Sequence, residues 1–292
     1  MPFQLEDFED PVDVIFETGA DITPNQLVKF PAFITWRMTL KTSLEGQRDP
    51  NHPFHENPYK LKSVTIQSVD WFGRDTPDSK RFVGFVKLKA DVRSGADKNG
   101  KISTLPGIAF LRGGSVAMLM ILRPSDSNTE RWVIMTEQPR IPSGSLRFME
   151  IPAGMIDDNK TFSGAAAKEI REETGLTVHE DEFQDLTKLA LGQIEGLESK
   201  EDLQIGMYPS PGGCDEFIAI FLWEKVLERQ EIESLKGRLS GKRTGESEMI
   251  TVRILPYEDL WKVGARDAKT LAAWSLYEAL KRSRTLRDTK SW

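Results

Sequence analysis

The chain predicts an α/β protein with two domains after an N-terminal extension. Three observations lead there: period-two apolar alternation at Ser63–Asp70 and Phe82–Ala90, a continuous apolar run at Ser115–Arg123, and helical stretches at about Thr161–Thr174 and Asp267–Lys281. With 292 residues and 39% hydrophobic content, the chain can bury one large core or two modest ones. A net charge of −6 and a pI near 5.4 argue against a nucleic-acid partner, which needs a basic face. An anionic small substrate stays open, because bound cations reverse a local field. One cysteine, Cys214, excludes an internal disulfide and suits a reducing compartment. No apolar run approaches the ~20 residues of a membrane span. The acidic start, MPFQLEDFEDPVD, lacks a basic signal, so the expectation is a cytoplasmic protein.

Residues 1–60 read as an N-terminal extension, interrupted by prolines at 2, 11, 24 and 31 and carrying one amphipathic helix, Ala32–Leu44. His52 and His55 have no third ligand nearby and read as structural. Residues 61–112 read as a small antiparallel β domain of three strands, the last at Ile108–Arg112. The larger domain, 113–292, begins with Ser115–Arg123, a run that suits a strand buried on both faces. Trp132–Thr136, Leu186–Gln193, Phe217–Trp223 and Met249–Leu255 follow as strands. A Gly-rich loop spans 209–216, and a charged stretch with a loop at 241–248 precedes the last strand. Pro256–Leu260 opens a short helix, and Leu271, Trp274, Leu276 and Leu280 form the core stripe of the last one.

Residues 151–178 carry the chemistry. A tight turn, Pro152-Ala153-Gly154, leads through a polar loop into the helix that stops at Gly175. On that helix Glu169, Glu172 and Glu173 fall within an arc of roughly 100°. A solvated acidic face is one reading. Yet Glu169 and Glu173 border the apolar side marked by Ala166, Ala167 and Ile170. Like charges at i,i+4 repel, and acids oppose the dipole at a helix C-terminus. A divalent cation relieves both penalties, and Mg²⁺ prefers hard oxygen ligands. Spacing alone leaves both readings open.

The segment resembles the Nudix box, G-x5-E-x7-R-E-U-x-E-E-x-G-U with U a bulky aliphatic residue. Gly154, Glu169, Ile170, Glu172, Glu173, Gly175 and Leu176 stand at its spacing, whereas Lys160 and Lys168 replace its first Glu and its Arg. In the family that pair braces the loop on the helix; two lysines cannot pair, although Asp157 or Asp158 can serve Lys168. The strand end Glu137–Arg140, the Gly-rich loop at 209–216 and the Glu246-x-Glu248 loop are similar to the ADP-sugar and ADP-ribose diphosphatases, and Val69–Gly73, Pro152–Asp158, Gly212–Glu216 and Leu255–Trp261 are similar to the plant-type ADP-sugar diphosphatases.

The resemblance implies an α/β/α sandwich around a mixed sheet, with a β-rich N-terminal domain that forms a homodimer. It implies Mg²⁺-dependent hydrolysis (Mn²⁺ being the alternative metal) of ADP-glucose or ADP-ribose to AMP and a sugar phosphate. Ala153 (through its carbonyl), Glu169, Glu173 and Glu248 would hold metal, with Glu172 beside them in the catalytic set and Glu246 as the base. Arg140 and Gly154 would meet the phosphates, Glu216 the sugar or metal side, and Trp71 and Phe72 the adenine. Bland readings stand beside these: a surface salt bridge for Arg140, a solvated loop for Glu246 and Glu248, packing for Trp71 and Phe72. Lys160 and Lys168 favour a non-catalytic nucleotide-sugar sensor as the alternative; a nucleoside triphosphate pyrophosphatase is a third reading.

Overall fold

The computed structural model describes residues 3–73, 81–156, 164, 178–192, 202–236, 239–240 and 250–287. The chain divides into two compact units. The first is Met1–Gly113 with Leu197–Gln204 and Ser210–Glu216; the second is Gly114–Gly196 with Ile205–Pro209 and Phe217–Trp292.

In the first unit β1 (Phe3–Leu5), β2 (Val12–Phe16), β3 (Tyr59–Phe72), β4 (Phe82–Ala96) and β5 (Ile102–Leu105) pair in chain order, and β6 (Ile108–Leu111) also pairs with β4. The sheet has six strands and is mixed, because β2 runs parallel to β3. That differs from the three antiparallel strands expected after residue 61, and the first 60 residues are part of this unit. Parallel neighbours require a crossover. Helices α1 (Pro24–Leu27) and α2 (Pro31–Gly46) lie within it. Pro24 and Pro31 occupy the first helical turns, where a missing N–H costs nothing. These prolines start helices instead of interrupting an extension. Thr23 closes a capping box with Gln26 at the start of α1. The core of this unit joins Val12, Val14, Leu27, Phe33, Val64, Ile66, Val86 and Leu88.

In the second unit β11 (Gln184–Asp185), β12 (Ile218–Leu227), β7 (Ser115–Pro124), β8 (Trp132–Arg140), β14 (Ile250–Pro256) and β13 (Leu239–Ser240) lie side by side in that order. To these, β10 (Ala153–Met155) adds to β7 and β9 (Ser145–Glu150) to β8. The β12–β7 pair is parallel, so this sheet is mixed as well. Strand β7 is buried along nearly its whole length. Its even residues, Val116 to Leu122, pack with Ile232 and Leu235 of helix α4 (Arg229–Leu235). Its odd residues, Ala117 to Ile121, pack with Leu186 of α3 (Leu186–Leu191), Leu260 of α5 (Leu260–Val263) and Ala273, Tyr277 and Leu280 of α6 (Ala268–Arg282). Helices therefore cover both faces, and the continuous apolar run is explained.

Three local expectations change. Leu186–Leu191 is a helix and not a strand: the Asp185 carboxylate accepts from the Lys188 N–H and caps it, and LTKLAL is rich in helix formers. Pro152-Ala153-Gly154 is no tight turn, since Ala153 pairs with Ala117 and Gly154 with Val116 as strand β10. The buried stripe of α6 runs through Thr270, Ala273, Tyr277 and Leu280, with Trp274 and Leu276 at its margin. The helix expected over Thr161–Thr174 lies outside the described residues, Gly164 excepted.

Candidate active site

Strand β8 ends on Glu137-Gln138-Pro139-Arg140, and the chain reverses through a 3₁₀ turn at Ile141–Ser143. Gly144 completes the reversal with φ +70°, a left-handed conformation that glycine adopts without a Cβ clash. Strand β9 then returns along β8 and delivers Glu150 opposite Thr136. Arg140 Nε donates to Glu150 Oε1 at 2.7 Å. Arg140 is thus salt-bridged, but to a carboxylate only 2% exposed, and not to a surface acid. Lys269 of α6 holds the other oxygen of Glu150. Glu137 lies just upstream on the same strand and binds Arg147 at 3.0 Å and Arg253 at 3.1 Å. The Arg147 hydrogen bond leads, with Arg253 adding to it, in holding the Glu137 carboxyl below the usual range.

Glu150 is followed by Ile151, Pro152, Ala153 and Gly154. The Pro152 carbonyl accepts from the Met118 N–H at 2.9 Å, which fixes this segment against the buried strand β7. Arg140 and Ala153 are thereby brought onto one sheet, linked through Glu150. The carboxylates expected to hold metal, Glu169, Glu173 and Glu248, lie outside the described residues, as do Glu172 and the expected base Glu246. No group of three or more His, Cys, Asp or Glu among the described residues is arranged to hold a metal ion. The donor set expected for Mg²⁺, the helix carboxylates Glu169 and Glu173 and the loop carboxylate Glu248 with the Ala153 carbonyl, is all hard oxygen and fits that ion in chemistry.

Trp71, Phe72 and Glu216 belong to the first unit. Trp71 packs against its core, donates from Nε1 to the Asp21 carbonyl at 3.1 Å, and has the Arg81 guanidinium 4.5 Å from its ring centre. Those contacts give the indole a packing role. Phe72, the next residue, packs edge-on to Phe85 at 4.8 Å, and Phe85 meets Phe110 at 5.0 Å. A Cβ on Gly84 would stand 2.6 Å from the Phe72 ring, so glycine makes room for it. Glu216 lies 3.3 Å from Arg112, whose guanidinium is 5.8 Å from the Phe85 ring centre. Phe72 and Glu216 are therefore joined through Phe85 and Arg112. The loop that holds Glu216 is tied to β6: Phe110 N–H donates to the Gly213 carbonyl, and the Asp215 carboxylate accepts from the Arg112 and Gly113 N–H groups. Burial raises the Asp215 carboxyl above its usual range, and it raises the Cys214 thiol too, which makes Cys214 a poor nucleophile at neutral pH.

Glu150, Lys269 and Arg112 were missed in the sequence. Glu150 had a signal, a lone acid between apolar residues in Phe148-Met149-Glu150-Ile151; Lys269 had none.

The NUDIX domain profile matches residues 112–275, more than half of the chain. The chain belongs to the NUDIX-domain family. Among curated Nudix proteins, Nudix hydrolase 14, chloroplastic, of Arabidopsis thaliana is 40% identical over 223 residues. The match covers 76% of this chain and 64% of that protein, less than two thirds of its length. ADP-ribose pyrophosphatase of Bacillus subtilis (strain 168) is 30% identical over 55% of this chain and 69% of its own. A crystal structure titled ADP compounds hydrolase aligns with 78% of this chain and 99% of its own, at 15% identity and a TM-score of 0.44. No helix among the described residues is long and apolar enough to cross a membrane.

Proposed function

We propose that this Nudix protein is a Mg²⁺-dependent hydrolase that splits the diphosphate of an ADP-sugar, ADP-glucose or ADP-ribose, into AMP and a sugar phosphate. The observation that carries this reading is Arg140 anchored through Nε on buried Glu150, three residues before Ala153 and at the entrance to the glycine–glutamate motif. A guanidinium held by Nε keeps its Nη edge as the fork for a phosphate. The ADP-ribose activity in the name of the Bacillus relative supports the substrate class.

In this mechanism Glu169, Glu173, Glu248 and the Ala153 carbonyl would hold Mg²⁺, with Glu172 beside them, and the ion would supply charge neutralisation for the diphosphate. Glu246 accepts the proton of the attacking water as its oxygen bonds to phosphorus, and the bridging P–O bond breaks with its electron pair going to the departing phosphate. Arg140 and the Gly154 backbone fix the diphosphate. Trp71 and Phe72 would serve the adenine, and Glu216 the sugar or metal side. The reading includes a homodimer through the N-terminal sheet and a cytoplasmic location, the latter resting on cysteine usage.

The test is phosphate release, after phosphatase coupling, from ADP-ribose, ADP-glucose, UDP-glucose, NADH and dGTP with Mg²⁺, for wild type and Glu173→Gln. Turnover of ADP-sugars is expected to fall at least a hundredfold in the variant, on the order of the loss when one charge-stabilising group is removed. Tight binding of the same compounds without turnover in either protein makes the chain a sensor, the outcome that Lys160 and Lys168 favour.

A further inference from the structure

We propose that Lys269, at the start of α6, is a positioning residue that aligns Arg140 for the substrate phosphates by locking Glu150. The proposal rests on the hydrolase reading above. Glu150 is buried, so its charge has to be neutralised where it sits. Its two oxygens are divided between two cations: Oε1 takes Arg140 Nε at 2.7 Å, and Oε2 takes Lys269 Nζ. A carboxylate held at one oxygen can turn about its last bond. One held at both cannot, and the direction of Oε1 then sets the plane of the Arg140 guanidinium.

Lys269 also donates to Asp267 Oδ1 at 2.9 Å. Asp267 Oδ2 in turn accepts from the Thr270 hydroxyl at 2.6 Å and from the Thr270 N–H at 3.2 Å, capping α6. The Thr270 hydroxyl oxygen accepts from the Ile151 N–H at 3.1 Å. Because Glu150 and Ile151 are consecutive, the contacts close a ring that holds the approach to Ala153 against α6. The ring contains two routes with separable duties. Asp267 and Thr270 dock the helix and hold the Ile151 backbone without Lys269. Of Asp267, Lys269 and Thr270, it is Lys269 that reaches the Glu150 carboxylate.

Removing the ammonium leaves two carboxylates, Glu150 and Asp267, with one guanidinium, that of Arg140 on Glu150. Arg140 is then drawn further onto Glu150, and its phosphate edge turns away. The charge balance of the intact quartet, two cations with two carboxylates, prevents this.

The experiment is a double-mutant cycle: Lys269→Met and Lys269→Arg, each alone and combined with Arg140→Ala. Each protein is read by KM and kcat for ADP-ribose with Mg²⁺, by calorimetric Kd for ADP, and by urea midpoint. Lys269→Met is expected to raise KM and the ADP Kd about tenfold when Arg140 is present and less than about twofold when it is absent, as directly coupled groups do. Lys269→Arg should restore most of the affinity. Equal losses in both backgrounds, or losses that follow the urea midpoint, overturn the proposal. If Lys269→Met fails to fold, Lys269→Gln keeps a donor for Glu150 without the charge, and the same cycle is read with it. Coupling in ADP binding without turnover in wild type sinks the hydrolase reading and leaves the positioning role standing; turnover with additive losses does the reverse.

Discussion

The two sheets of this protein solve opposite burial problems. In the second unit β7 has helices over both faces, and from Ser115 to Leu122 every residue is buried. In the first unit the core-facing residues of β4 (Val86, Leu88, Ala90, Val92) alternate with Lys87, Lys89, Asp91 and Arg93 on the other face. That other face is open. Ile15 is 50% exposed and Ile108 60%, and an open groove of about 610 Å³ runs past Ser63, Thr65, Lys89, Asp91 and Ile108. The same strand geometry thus gives a continuous apolar run in one sheet and a period of two in the other. The contrast is a statement about what covers each face.

The largest way to break the contrast is a charge in the doubly covered strand. Leu119→Asp has no face on which to be solvated, and its unpaired carboxylate is expected to cost more than about 4–5 kcal/mol, enough to remove most of a domain's stability. Soluble yield and the urea midpoint check it. Even the gentler Leu119→Ala should cost about 2–5 kcal/mol through the cavity it leaves. An equally drastic change on the open sheet face, Lys87→Asp, is expected to stay within about 0.5 kcal/mol.

The difference in cover also decides what could be read from the sequence. Ser115–Arg123 announced a buried strand because no polar residue interrupts it, and Phe82–Ala90 announced a half-buried one by alternation. The six residues from Leu186 to Leu191 sat below the length at which period separates strand from helix, and the Asp185 cap was the signal that would have settled it. Val12-Asp13-Val14 carried a strand signal, yet the prolines at 24 and 31 read as breaks until their places at helix starts were seen. Within the site, Arg140 and Ala153 were legible through motif spacing. Glu150's partner was not, because Lys269 is 119 residues away in the chain and only the docking of α6 brings it there. Long-range pairings of this kind leave no local pattern.

Ion pairs on the two sheets should differ by an intermediate amount. On the second sheet Glu182 accepts from Lys225 Nζ and Trp223 Nε1, both at 2.6 Å. Burial alone pushes its carboxyl up, but the hydrogen bonds from Lys225 and Trp223 outweigh it and hold the carboxyl below the usual range. A group whose folded pKa is depressed stabilises the protein above its unfolded value, about 4.5, and loses that contribution as pH falls through the lower, folded value. Lys225→Met should therefore cost about 1–2 kcal/mol at pH 7, with the difference from wild type shrinking in acid; urea midpoints across that range read it. The corresponding pair on the first sheet, Lys60 with Asp10 at 3.2 Å, is exposed. Lys60→Met should change stability by less than about 0.5 kcal/mol at any pH, because solvent screens the pair.

The smallest effect is the most discriminating for the open face. Ile15 sits on β2 opposite Thr65, and its side chain gains little from this chain alone, so Ile15→Ser should shift the unfolding midpoint by less than about 0.5 kcal/mol at low protein concentration. The proposed homodimer through the N-terminal sheet would add a concentration term. Whatever binds the folded state but not the unfolded one raises the midpoint by mass action, so wild type should gain stability as its concentration rises. Ile15→Ser combined with Ile108→Ser should flatten that gain if the open face meets its counterpart in a second copy. Sedimentation of the two proteins over a hundredfold concentration range separates the cases. A wild type that sediments as a dimer while the double variant dissociates identifies the open face as the interface. Dimers of equal strength in both move the contact elsewhere on the chain, and the alternation in β4 then reflects a face that solvent alone covers.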